Sequence, residues 1–209
     1  TRRSSDLKLT LPDGTLVWLN AGSRITYSQG FGVGNRKIEL IGEGYFEVKR
    51  NEEVPFLVKT NSLLVKVLGT KFNFRDYPDD AEAIVSLSEG KVALNNLLKK
   101  EKEAFLLPNE RVVLNKKNGR MHVEYSTVSN ALQWTNGYLF FDEELLPDVV
   151  KELERSYNVK IQIASDTLNT FRFYGNFVHR EQNIQEVLEA LSATRKIHYI
   201  IEGHNITLY

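Results

Sequence analysis

The stretch "LPDGTLVWLNAGSRITY" (residues 11–27) decides how the first half of the chain folds. Its quartet Pro12-Asp13-Gly14-Thr15 has turn chemistry, and the run Leu16-Val17-Trp18-Leu19 that follows is rich in residues that suit a pleated surface. Asn20, Gly22 and Ser23 then interrupt the apolar run before Ile25 and Tyr27 resume it. Asn and Ser can hydrogen-bond nearby backbone where a strand bends, so these interruptions predict a structural corner.

Outward from this hairpin the same period-two rhythm continues to about residue 126, as in "KIELI" (37–41), "YFEVK" (45–49), "LLVKV" (63–67), "KFNFRDY" (71–77) and "RVVLN" (111–115). Turn signals separate the runs at Pro78-Asp79-Asp80, Glu89-Gly90 and Asn118-Gly119. About a dozen short strands at this spacing predict an all-β domain over 1–126, of sandwich or jelly-roll-like form. The charged segment "LLKKEKEAF" (97–105) reads as an exposed excursion between two strands.

Residues 127–137 form a bridging segment, after which helices enter. Leu146, Val149, Val150, Leu153 and Tyr157 make one apolar stripe, with Pro147 and acidic residues at its start. A second helix opens at Asn183 with Glu186 three residues on, a capping-box spacing, and carries Ile184, Val187, Leu188 and Leu191. A shift of 38 residues superposes Leu146 on Ile184, Leu153 on Leu191, Ile161 on Tyr199 and Ile163 on Ile201. This internal βαβ repeat, closed by "NITLY", predicts a small α+β domain over 138–209 whose two units share one sheet.

The 209 residues, 42% of them hydrophobic, suffice for two modest cores, and the 27 basic and 27 acidic side chains cancel. That balance argues against nucleic acid as a partner. With no cysteine, disulfides and thiolate chemistry are excluded. No apolar run is long enough to span a bilayer, and "TRRSSDLKLT" has no apolar signal region. The first residue is not Met and strand sequence begins at Leu7, so the chain reads as a piece of a longer protein.

Chemistry-bearing constellations are few. "GFGVGN" (30–35) runs into a strand instead of opening a helix, which argues against a nucleotide loop. His122, His179, His198 and His204 lack metal-ligand spacing, and Ser86 and Ser88 lack nucleophile-elbow spacing. Glu39, Glu43 and Glu47 are the carboxylates best placed for acid–base work, yet Glu39 and Glu47 alternate as outward-facing residues do. Trp18 and Trp134 with Tyr27, Tyr45 and Tyr77 offer either core aromatics or a sugar-binding face. No catalytic residue, metal or cofactor is assigned, and the alternative function is a carbohydrate-binding β module with an adaptor domain.

In order along the chain, "LPDGTLVWLNAGSRITY", "IELIGEGYFEV" (38–48), "PFLVKT" (55–60), "VLGTKFNFRDYPDD" (67–80), "VSLSEGKV" (85–92) and "LLPNERVVL" (106–114) resemble the periplasmic domain of FecR-like anti-sigma factors. The segments "WTNGYLFFDEELLPDVVKELERSYNVKI" and "GNFVHREQNIQEVLEALSATRKIHYIIEGHNITLY" resemble the domain that ends these proteins in Bacteroidetes, itself similar to the secretin/TonB short N-terminal domain. The resemblance implies a periplasmic sensor, not an enzyme. Its partners would be the N-terminal signalling domain of a TonB-dependent transporter and, through a cytoplasmic segment outside this chain, an extracytoplasmic-function sigma factor. Exposed sheet edges are the expected docking surface, at 170–177 and 205–209, with Phe171, Phe173, Ile206 and Leu208 as the residues on them.

Overall fold

The structure is a computed structural model that describes residues 7–126, 128–193 and 196–209. The chain divides into two compact units, Thr1–Thr135 and Asn136–Tyr209. The starting segment 1–6, and position 127 of the bridging segment, lie outside the described residues.

The first unit is all strand apart from its last residues. In chain order the strands are β1 (Leu7–Thr10), β2 (Leu16–Leu19), β3 (Arg24–Tyr27), β4 (Arg36–Glu47), β5 (Phe56–Lys59) and β6 (Leu63–Val67). Then come β7 (Lys71–Asp76), β8 (Glu82–Glu89), β9 (Val92–Asn96), β10 (Ala104–Leu106), β11 (Glu110–Asn115) and β12 (Met121–Tyr125). A short helix α1 (Val128–Ala131) and a single 3₁₀ turn over Gln133–Asn136 follow.

Strand β4 organises this unit. Its first half pairs with β3 and, in parallel, with β5, whereas its second half pairs with β2 and β7. The strand therefore passes from one layer of the sandwich to the other, and Gly42 stands at the crossing. Gly42 has φ +98°, and a β-carbon there would collide with the Ser23 side chain, so no other residue fits without displacing the corner. Between the layers Phe46, Phe56, Phe72 and Phe74 are fully buried, with Leu87, Leu94, Leu106 and Leu114 around them. The all-β sandwich expected from period-two spacing is thus the fold that forms.

The second unit begins with β13 (Tyr138–Leu145), α2 (Leu146–Tyr157) and β14 (Lys160–Ile163), and continues after a 3₁₀ turn at Asp166–Thr170. Next are β15 (Arg172–Val178), α3 (Ile184–Ser192), β16 (Tyr199–Glu202) and β17 (Asn205–Leu208). Helix α2 has Pro147 in its first turn and stops at Asn158, which takes the left-handed conformation at φ 53°. Helix α3 starts at the capping box foreseen from Asn183 and Glu186, with both reciprocal bonds made, at 3.1 and 2.7 Å. Both apolar stripes pack into one core with Phe141, Phe173, Phe177, Ile206 and Leu208.

The α+β character matches expectation, but the single shared sheet does not form. Strands β13 and β15 pair only with each other, and a separate sheet has the order β14-β17-β16, with β14 parallel and β16 antiparallel to β17. The C-terminal strand inserts between the last strands of the two repeats, so the first strands are left to pair as a ribbon.

Candidate functional site

The polar corner of the opening hairpin forms the most elaborate buried network in the first unit. Asn20 ends β2 and Glu43 lies just past the Gly42 crossing; their exposures are 7% and 4%. Asn20 Nδ2 donates to Glu43 Oε2 at 2.9 Å, and Asn73 Nδ2, from β7, donates to Glu43 Oε1 at 2.8 Å. Arg75 Nη1 stands 3.8 Å from the same carboxylate. Ser23 Oγ accepts the Glu43 backbone N–H at 2.8 Å, and the Tyr77 hydroxyl donates to the Ala21 carbonyl at 2.8 Å. From the segment after β12, Trp134 Nε1 donates to Asn73 Oδ1 at 3.2 Å. Trp134, inside the bridging segment of the sequence reading, is thereby seated in the first unit.

A second polar lock holds the turn itself. Arg36 Nε lies 2.8 Å from Asp13 Oδ2, with side-chain exposures of 3% and 7%. Arg36 also donates to the carbonyls of Val54, at 3.0 Å, and Lys49, at 2.6 Å, while Asp13 accepts from the Thr15 hydroxyl and backbone. All this bonding is internal to the fold.

The three carboxylates weighed for catalysis do not converge. Glu39 is exposed on β4, Glu43 is enclosed in the network, and Glu47 accepts from Tyr45 at 3.3 Å. Four residues along a strand span on the order of 13 Å, too far for a working pair. Burial, then the Glu47 carboxylate, pushes the Tyr45 hydroxyl up to about 12. Nor do the aromatics make one platform: Tyr77 and Trp134 are buried, Trp18 tilts against Tyr45 under the Lys8 ammonium, and Tyr27 packs on Phe31 in the other layer. Ser86 is buried, as is the Ser88 hydroxyl. Among the described residues no cluster of His, Cys, Asp or Glu could hold a metal ion. His179 packs on Tyr157, its Nε2 2.9 Å from the Ser156 carbonyl oxygen, and His122 is exposed beside Glu124.

The remaining surface chemistry is at the sheet edges of the second unit, and here the expected residues need correction. Ile206 and Leu208 are not on an edge: β17 is the central strand of its sheet, and they are 2% and 0% exposed. Phe173 is also buried, and Phe171 precedes β15, half-buried against the core. Strand alternation aims large apolar side chains inward, whereas an edge is defined by which backbone groups lack a neighbour.

Three edges bear on this. On β15 the His179 N–H bonds the Gly137 carbonyl at 2.9 Å, so alternation turns the backbone of Tyr174, Asn176 and Val178 outward. Gln182 Oε1 takes the Val178 N–H at 2.8 Å, and among the described residues no such cap is seen on Tyr174 or Asn176. On β14 the outward N–H of Ile161 is taken by Glu154 Oε1 at 2.9 Å. On β16 no such cap is seen among the described residues, and Ile200 and Ile201 are 50% and 40% exposed.

The fold is a two-layer β unit followed by a βαβ-repeat unit, in which the buried polar groups described above hold corners and turns and the second unit presents strand edges. The profile of the FecR protein family matches residues 1–93, and that of FecR, C-terminal matches residues 138–208. Two crystal structures described as those of an anti-sigma factor from Parabacteroides distasonis, at 1.65 and 2.50 Å, superpose with a TM-score of 0.87 at 34% identity. They cover 98% of this chain and, respectively, 94% and 93% of their own. No curated protein sequence matches. The chain belongs to the FecR-like anti-sigma factor family.

Proposed function

We propose that the chain is the periplasmic sensor region of a membrane-anchored anti-sigma factor, receiving a signal from a TonB-dependent outer-membrane transporter and regulating an extracytoplasmic-function sigma factor. The observation that carries this reading is the match of both units, in order, to FecR profiles. Among the described residues no helix is long and apolar enough to cross a membrane; under this reading the anchor and the cytoplasmic sigma-binding segment belong to other parts of the protein.

The transporter's N-terminal signalling domain docks on the outer edge of β15, where the backbone of Tyr174 and Asn176 faces outward and the Tyr174 ring is 60% exposed. Phe171 and Phe173 support that edge from behind. Calorimetry between this chain and the isolated signalling domain of the transporter encoded beside it tests the reading, with saturable micromolar binding expected. Asn176→Pro removes one outward donor without touching the β13 ladder and should weaken binding about tenfold. No binding between two folded proteins refutes the partner; full binding by the proline variant refutes the edge.

A further inference from the structure

The two repeats of the second unit differ at their edges. In the first repeat Glu154 caps one outward N–H of the β14 edge, that of Ile161, and the exposed side chains there are Lys160 and Gln162. The 38-residue shift places Ser192 where Glu154 stands, Tyr199 where Ile161 stands and Ile200 where Gln162 stands. The Ser192 hydroxyl is buried with no hydrogen-bond partner among the described residues, so it does not cap Tyr199. Protection of an edge by charge and by a side-chain cap is thus present in one repeat and missing from the other.

The free groups on β16 can be assigned. His198 and Tyr209 exchange both backbone hydrogen bonds, at 2.9 and 3.0 Å. By antiparallel alternation Ile200 and Glu202 then bond β17, and Tyr199 and Ile201 turn their N–H and C=O groups outward.

We infer that this edge pairs with the same edge of a second copy of the chain, antiparallel about a twofold axis through Ile200. That register sets Tyr199 opposite the partner's Ile201 and Ile201 opposite the partner's Tyr199, so both reciprocal pairs close and four outward donors and acceptors on each side are satisfied. An aromatic residue opposite a β-branched one is a favourable cross-strand pair, and each Ile200 covers the other. At either end His198 meets the partner's Glu202, an imidazole opposite a carboxylate. It is the register that keeps every pair within residues 198–202. An edge this short makes a small interface, so the dimer is weak, with a dissociation constant on the order of 0.1 mM.

Sedimentation equilibrium of the 209-residue chain from about 10 μM to about 1 mM tests the inference, with reversible dimerisation expected. Ile200→Lys places two ammonium groups opposite each other and should weaken the dimer about tenfold or more, whereas Gln162→Lys on the capped edge should leave it unchanged. His198→Glu should weaken it by setting two carboxylates together, and adding Glu202→Lys in the same chain should restore it, a recovery that damage to the fold does not produce. A monomer at every concentration, an unaffected Ile200→Lys variant, or an equal loss from Gln162→Lys overturns the inference. Loss of transporter-domain binding in Ile200→Lys, with a monomeric parent, would give the edge to that partner and also overturn it. Intact transporter binding by Ile200→Lys leaves the docking proposed for β15 standing, whatever the outcome for the dimer.

Discussion

Replacing Glu43 by Gln tests whether the buried corner is a single-solution network. The change is isosteric and removes a charge, so an argument from burial alone predicts stabilisation. The hydrogen-bond inventory predicts the opposite. The carboxylate accepts from Asn20 and Asn73 through different oxygens, at 2.9 and 2.8 Å, and an amide offers one oxygen and one donor. One of the two Asn amides would then face another donor unless it flips. Neither flip is free: Asn20 Oδ1 accepts the Ala21 N–H at 2.7 Å, and Asn73 Oδ1 accepts the Trp134 indole at 3.2 Å. The substitution therefore removes one charge-assisted bond and strands a buried donor, a loss of about 2–4 kcal/mol. Trp18 and Trp134, the only tryptophans, both lie in the first unit, so fluorescence-monitored urea unfolding reports on that unit alone. At a slope of about 2 kcal/mol/M, the midpoint should fall by about 1–2 M. An unchanged or raised midpoint would refute the reasoning and show that the amides reorient at little cost.

Arg36→Met leaves the Asp13 carboxylate uncompensated at 7% exposure and two carbonyls without donors; the first unit should lose about 3–5 kcal/mol, read by the same urea titration. Tyr45 has a folded pKa of about 12 against an ordinary 10.0, so its contribution to stability is complete below pH 10 and disappears as pH climbs through about 12. Urea midpoints measured from pH 9 to 12.5 should therefore fall more steeply for the parent than for Tyr45→Phe, and the ultraviolet titration of the variant should lose one phenol from the phase near pH 12. Glu154→Ser copies the second repeat into the first: it should speed amide exchange at Ile161 and lower the stability of the second unit by roughly 1 kcal/mol.

Much of this fold was legible because it depends on periodicity and turn chemistry. Period two over 7–126 specifies faces, and the inward positions it marks, such as Phe46, Phe72 and Leu87, are fully buried. The 38-residue repeat specified both helices, and the Asn183 box was readable because capping is local in sequence. Pairing was not legible. Nothing in "NITLY" says whether it closes a sheet at its rim or inserts between β14 and β16, because both placements bury Ile206 and Leu208 equally well. An apolar pattern reports which face is covered and is silent about which neighbour lies alongside, which is why Ile206 and Leu208 read equally well as edge or central residues.

The same distinction governs the sites. Asn20 and Ser23 could be read as backbone-bonding residues at a bend, which Ser23 is; but Asn20 also serves Glu43, a partner 23 positions away that only the β4 crossing brings near. Trp134 in the bridging segment could be read as a core or surface aromatic, but nothing local named its partner, since its acceptor, Asn73, is 61 positions upstream. What separates a protected edge from an open one in the second unit is smaller still. Glu154 and Ser192 occupy the same place in two copies of one motif, both polar and both at the end of a helical stripe, and neither identity looks significant in a sequence window. Only when the strand ladders show that residue 161 turns its N–H outward, and residue 199 likewise, does the longer side chain become a cap and the shorter one an omission. An exposed Ile at the position where the first repeat carries Gln then acquires a meaning that hydropathy cannot supply, because on an uncapped edge it favours pairing with another strand.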